Sequence, residues 1–259
     1  MDSSQERSGE HAFAREAYSN RDEFLNDIAV AYRQELAALH AVGCRNVQID
    51  APLLTFLCDP AVQKGFRDHG EDVDTLLDSY ARLYSDCLRD RPQDLVISFH
   101  LCRGNWRSLH FASGGYDTIA KFISNLNVDA FYLEYDTPRA GTYYSLTCFC
   151  VSDTVTGDGT GTFEPLKFLP KNKSVVLGLV SSKFPELEDK DELAKRVFEA
   201  AWVMASSTGE TVQEALQRIS VSPQCGFASG DEGNLLTAAD MKRKLELLRD
   251  LAASIWADA

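Results

Sequence analysis

Five short apolar runs of strand length alternate with helical patterns along this chain, and that alternation confines it to a parallel sheet joined by crossover helices. The strands read as NVQID (46–50), DLVISFHLC (94–102), DAFYLEYD (129–136), SVVLGLV (174–180) and RISVSPQC (218–225). Between and around them, apolar residues recur at helical spacing. Residues 21–42 carry Phe24, Leu25, Ile28, Tyr32, Leu36 and Leu39, with acidic residues in the first turn and Gly43 where a helix ends. Residues 72–88, a stretch near 115–125, and residues 191–207 repeat that pattern. A last helix opens at Thr237 with Asp240 in the capping-box position, and Met241, Leu245, Leu248 and Ile255 form its expected apolar stripe.

Composition narrows the class. With 259 residues, 44% hydrophobic and 25% charged, the chain has material for a sizeable core. A net charge of −13 without a Lys/Arg cluster argues against nucleic acid as a partner. No apolar run reaches membrane-spanning length, and the start MDSSQERSGEH lacks the apolar segment of a secretory signal. A cytoplasmic protein with no membrane partner is expected. Seven cysteines without a regular framework fit a reducing compartment, where thiols stay available for metals or catalysis.

In parallel α/β folds ligands bind at the C-terminal ends of the strands. Asp50, His100, Cys102, Glu134 and Cys225 all fall at such ends. Imidazole, thiolate and carboxylate are ligands that zinc accepts, and a thiolate-rich shell suits binding a substrate thiol and keeping it deprotonated. Each residue also has a plainer reading. Alternate residues on a strand face the same way, so His100 and Cys102 form a weak signal by themselves. A buried cysteine is often a small hydrophobe, Glu134 could be an ion-pair partner, and Cys225 could pack beneath a turn. Cys44, Cys58 and Cys87 lie on or beside helices without a partner pattern and read as structural. His11, His40, His69 and His110 have no comparable setting.

Several motifs in order settle a resemblance. VQIDAP (47–52), HLCRGN (100–105), FYLEYD (131–136), VVLGLVSSKFPELED (175–189) and SPQCGFAS (222–229) are similar to the catalytic C-terminal barrel of cobalamin-independent methionine synthase and its shorter archaeal and fungal relatives. That barrel belongs to a superfamily shared with uroporphyrinogen decarboxylase. The resemblance runs from about residue 15 to the C-terminus with one interruption. It implies an α/β fold of the (β/α)8 TIM-barrel type, with only about strands 4–8 present in one partial catalytic domain spanning 1–259. It also implies zinc-dependent methyl transfer to a thiol, in methionine biosynthesis from 5-methyltetrahydropteroyltriglutamate to homocysteine. Carried over by motif, His100, Cys102, Glu134 and Cys225 become the zinc ligands, and Asp50 the aspartate that holds the amino group of homocysteine.

The chain departs from the family pattern in four ways. Ala51 stands where a glutamate follows the aspartate. After the SVVLGLV strand, an Asp-Ile-His turn that supplies the acid is replaced by Val180, Ser181 and Ser182, followed by Lys183. A serine cannot take the place of a histidine as an acid near neutral pH. Residues 142–161, with a Cys148/Cys150 pair, read as a loop insertion, and residues 1–14 as a disordered N-terminus. Five strands also leave open edges and an uncovered interior. The expected partners are accordingly a small thiol, a folate methyl donor, and a polypeptide that completes the barrel.

Overall fold

The computed structural model describes residues 13–14, 16–136 and 162–256. The expected disordered start, except for residues 13 and 14, the 142–161 insertion and the Cys148/Cys150 pair lie outside the described residues. A long helix, α1 (Arg21–Ala41), leads into β1 (Asn46–Asp50), three helices α2 (Pro52–Phe56), α3 (Pro60–Asp68) and α4 (Val73–Cys87), and β2 (Val96–Leu101). Then follow a 3-10 turn (Tyr116–Thr118), α5 (Ala120–Asn125), β3 (Ala130–Glu134), a second 3-10 turn (Glu164–Phe168) and β4 (Ser174–Val180). The chain closes with α6 (Lys190–Thr208), α7 (Val212–Leu216), β5 (Ile219–Pro223) and α8 (Ala238–Ile255).

All five strands are parallel and lie in sequence order, β1-β2-β3-β4-β5. Helices follow four of them; between β3 and β4 the described residues supply only the 3-10 turn. This is an α/β fold with a five-stranded parallel sheet, the arrangement of a partial TIM-type barrel.

The two faces of the sheet differ because strand side chains alternate. Ile97, Phe99, Leu101, Phe131, Leu133, Val175, Leu177 and Ile219 are buried in the core shared with the helices. Fully burying each such side chain contributes roughly 1.5–3 kcal/mol. Residues on the opposite face, Asn46, Gln48, Asp50, Val96, Ser174 and Ser220, are exposed. That second face carries His100 and runs up to the strand ends where the candidate site lies.

Local signals set the helix ends. The Asn20 side chain accepts the Glu23 N–H, Asp72 caps α4, and Asp189 accepts from the N–H groups of Asp191 and Glu192. Thr237 and Asp240 form the expected capping box. The α8 stripe, however, is rotated from the one expected. Leu248 and Leu251 are buried, whereas Leu245 is 45% exposed. The turn below Leu248 is filled instead by Lys244, fully buried, whose ammonium meets the Glu188 carboxylate at 3.0 and 3.1 Å. A paired lysine can occupy a core position that sequence hydropathy assigns to a leucine.

Candidate metal and thiol site

The site is built from the ends of neighbouring strands. Asp50 and His100 are register partners in β1 and β2, His100 in turn faces Tyr132 in β3, and Glu134 faces Gly178 in β4. Cys102 lies one residue past β2 and Cys225 two residues past β5. At β4 a register shift between Gly178 and Val180 brings β5 very close. A Cβ on Gly178 would lie 2.8 Å from Gln224 Cα, so glycine is required for this approach.

Three of the candidate ligands converge. His100, Cys102 and Cys225 each offer a ligand atom, and these atoms all lie within 4.8 Å of one another. Cys225 Sγ is 3.6 Å from His100 Nε2. A tetrahedral zinc with ordinary Zn–S and Zn–N bonds would hold sulfur and nitrogen ~3.6 Å apart, so the donor set fits that ion in chemistry and the Cys225–His100 pair fits it in spacing. Cys102 is buried and Cys225 half-buried.

Glu134 is not in this cluster of three. It is buried, and its Oε2 accepts the Arg103 backbone N–H at 2.9 Å. Asp50 is exposed at the end of β1, with Oδ1 accepting from Gln48 Nε2 at 2.8 Å.

The electrostatics of the cluster favour charge separation. The two thiols are coupled by a hydrogen bond from Cys102 to Cys225, which draws Cys225 down to about 7 against the effect of burial. The same bond, reinforced by burial, raises Cys102. The pair thus readily gives up its first proton and holds its second. Burial works against protonated His100, but Cys102 and the charges of Asp50 and Glu134 outweigh it and raise its pKa. Cys58 and Cys87, by contrast, are pushed up by burial to about 12 and about 11, as inert structural thiols should be.

Around the cluster stands a polar frame that sequence reading did not single out. Arg103 is completely buried. Its guanidinium donates to Gly114 O at 2.6 and 3.0 Å and to the Tyr116 hydroxyl at 3.0 Å. The Tyr116 hydroxyl accepts the Glu134 N–H and donates to Leu101 O, both at 2.7 Å. Thr55 Oγ1 donates to the Cys102 carbonyl. Gly104, at φ +95°, could not carry a Cβ without meeting Phe111 N at 3.0 Å. The only sequence hint of this frame is that Arg103, Gly104 and Asn105 sit in the motif behind Cys102.

The departures from the family pattern have definite places. Ala51 is buried at the start of α2. Ser182 is buried, with its N–H directed at Gln224 Oε1, 3.3 Å away. Lys183 is buried and donates to Gly104 O at 2.6 Å and Leu109 O at 2.7 Å.

A parallel α/β sheet with an imidazole and two thiols gathered at its strand ends places the chain in the class of α/β domains that carry a candidate metal site at the strand ends. The family model for the cobalamin-independent synthase catalytic domain matches residues 10–141, about half of the chain, and the chain belongs to that family. Two Bacillus subtilis proteins, uncharacterized YxjH and uncharacterized YxjG, are 36% identical over 92% of this chain and 34% identical over 90% of it. The chain spans about half the length of these relatives, 56% and 54% respectively. A solved Listeria monocytogenes structure, named for vitamin-B12-independent methionine synthase, is 27% identical with a TM-score of 0.56. It aligns over 91% of this chain and 56% of its own. Among the described residues no helix is long and apolar enough to cross a membrane.

Proposed function

We propose that the chain is a methyltransferase domain of the methionine-synthase type that binds zinc through His100, Cys102 and Cys225, with Glu134 as the fourth ligand, and methylates a small thiol. The observation that carries this reading is the convergence of one imidazole nitrogen and two thiol sulfurs within 4.8 Å at the strand ends. Bound there, zinc would supply a Lewis acid that lowers the pKa of a substrate thiol and generates the nucleophile. The chain's own residues do the rest. Cys225 and Cys102 share a single readily lost proton, which prepares a thiolate ligand near neutral pH. Asp50, exposed beside His100 in register, is set to take the ammonium group of an amino-acid thiol such as homocysteine. Gln48 fixes the orientation of its carboxylate. In this reading the five strands correspond to strands 4–8 of the barrel. The exposed face and the two sheet edges would take a polypeptide that completes it, and methionine biosynthesis in the cytoplasm is the setting.

A second reading keeps the metal and changes the substrates: another thiol, or an alkyl donor other than a folate. Ala51 and Ser182 favour it, since neither can carry a charge or serve as an acid near neutral pH at the position it fills. Lys183 also favours it, because its ammonium is already committed to two backbone carbonyls. A third reading is a domain that binds without catalysing methyl transfer.

Metal analysis of the purified chain, followed by methyl-transfer assays, tests all three. One zinc per chain and methionine formed from homocysteine and methyltetrahydropteroyltriglutamate are the expected results. Zinc with turnover only on other thiols or donors selects the second reading. Absence of stoichiometric zinc defeats the first two.

A further inference from the structure

Residues 106–109 form a two-residue hairpin. Leu109 N donates to Trp106 O at 2.8 Å and Trp106 N to Leu109 O at 3.4 Å. Its two central residues, Arg107 at φ 51° and Ser108 at φ 63°, are both left-handed. Asn-Gly normally fills such a turn, and ordinary side chains are strained in it. A strained turn persists when its surroundings over-determine it. Here it turns the Ser108 N–H onto Asn234 Oδ1 at 2.8 Å, a residue 126 positions away. The Ser108 hydroxyl locks the same loop, donating to Lys183 O at 2.6 Å and accepting the Leu235 N–H at 2.8 Å.

That contact fixes a chain of amide orientations. A backbone N–H can only donate, so the Asn234 atom facing Ser108 must be the oxygen. Its Nδ2 is then left to donate, and does so to Asn105 Oδ1 at 2.8 Å and Ser182 O at 2.9 Å. Asn105 must therefore turn its own Nδ2 the other way. It donates to Gly226 O at 2.7 Å, the carbonyl of the residue that follows Cys225.

We propose that Asn105 is a positioning residue that holds the loop carrying Cys225 through the Gly226 carbonyl, and that Asn234 and the Ser108 turn dictate its direction. This inference rests on reading His100, Cys102 and Cys225 as a zinc site. A hydrogen bond that pins the backbone beside a ligating cysteine fixes the direction from which its sulfur approaches the metal, as outer partners of metal ligands do. The arrangement joins the loop after β2, which carries Cys102, to the loop after β5, which carries Cys225.

The test compares the full chain with Asn105→Ala and Asn234→Asp, measuring zinc affinity by chelator competition and the sulfur-to-metal absorption band of the cobalt-substituted protein. Asn105→Ala is expected to weaken zinc binding about tenfold and to shift the band. Asn234→Asp still accepts the Ser108 N–H, but its second oxygen would draw the Asn105 Nδ2 toward itself and leave the Asn105 oxygen facing Gly226 O. It also loses the donor to Ser182 O and so lowers the unfolding temperature, but it is expected to shift the band of the folded protein as Asn105→Ala does, which a merely global loss of stability would not produce. Zinc affinities within twofold of the parent and an unmoved band in both variants would overturn the proposal. A parent chain that takes up neither metal overturns the site reading and this inference together, and is recognised because no band appears in any of the proteins.

Discussion

The carboxylate of Glu134 accepts the backbone N–H of Arg103, the residue immediately after Cys102, at 2.9 Å. A buried charge here does two things. It satisfies a buried donor, and it sits beside the imidazole and thiol cluster, where it raises the pKa of His100. Glu134→Gln keeps an acceptor for the N–H and removes the charge, so the fold should survive while zinc affinity falls at least about tenfold. Glu134→Ala leaves the N–H unpaired as well and should cost about 1–3 kcal/mol in urea unfolding. Equal zinc affinity in Glu134→Gln and the parent would confine Glu134 to a loop-anchoring role.

Arg103 makes its loop a rigid mount for Cys102. Its guanidinium satisfies Gly114 O twice and stacks 4.2 Å above the Tyr116 ring. Replacing it by leucine strands those acceptors in a water-free place. The expected loss is about 3 kcal/mol, seen as a lower urea midpoint with unchanged slope. Arg103→Lys should recover only part of it, since an ammonium cannot span the same acceptors. Full recovery by lysine would show that only the positive charge matters.

Acid should reveal a second anchor, at the opposite end of the sheet. Burial disfavours the Asp129 carboxylate, but the Arg91 guanidinium, at 2.6 and 2.9 Å, and the Ile97 N–H, at 2.7 Å, outweigh it and hold its pKa below the usual aspartate value. A depressed carboxylate adds stability that is complete above its unfolded value of about 3.9 and disappears as pH falls through the lower folded value. Urea unfolding between pH 6 and pH 2.5 should therefore show a steeper acid decline in the parent than in Asp129→Asn. Parallel curves would mean that the ion pair contributes nothing to acid sensitivity.

The residues that sequence alone made legible are those with a local pattern. The β2 strand shows as a short run rich in apolar residues, and Thr237 with Asp240 signals the start of α8 within four residues. The helices α2 and α7, at five residues each, are too short to display a helical period, and α3 has no buried residue to mark a face. Lys244 in the α8 core escaped because its partner Glu188 is 56 positions away. The same holds at the site. His100 and Cys102 stand two apart and can be noticed, and the family resemblance supplies Cys225. Asn105 ends the HLCRGN motif, but Ser108 and Asn234 carry no periodicity or motif, and only the folded chain brings the three together.

The hairpin at Arg107 and Ser108 allows strain to be separated from function within one turn. Both residues are left-handed, a conformation that costs an ordinary side chain roughly 1–2 kcal/mol and glycine almost nothing. The Arg107 side chain is exposed, with its guanidinium 5.6 Å from the Trp106 ring centroid, so Arg107→Gly relieves strain at the expense of that exposed contact and of greater freedom in the unfolded chain. The net expectation is a gain of about 0.5–1 kcal/mol. Ser108→Gly obtains the same relief but deletes the hydroxyl that holds Lys183 O and the Leu235 N–H, leaving buried groups unpaired. It should therefore lose about 1–2 kcal/mol overall. Opposite signs for two adjacent glycine substitutions, read as urea midpoints, are the signature of a strained turn held in place by its contacts. If Arg107→Gly gains nothing or loses stability, the backbone at Arg107 carries no strain of consequence.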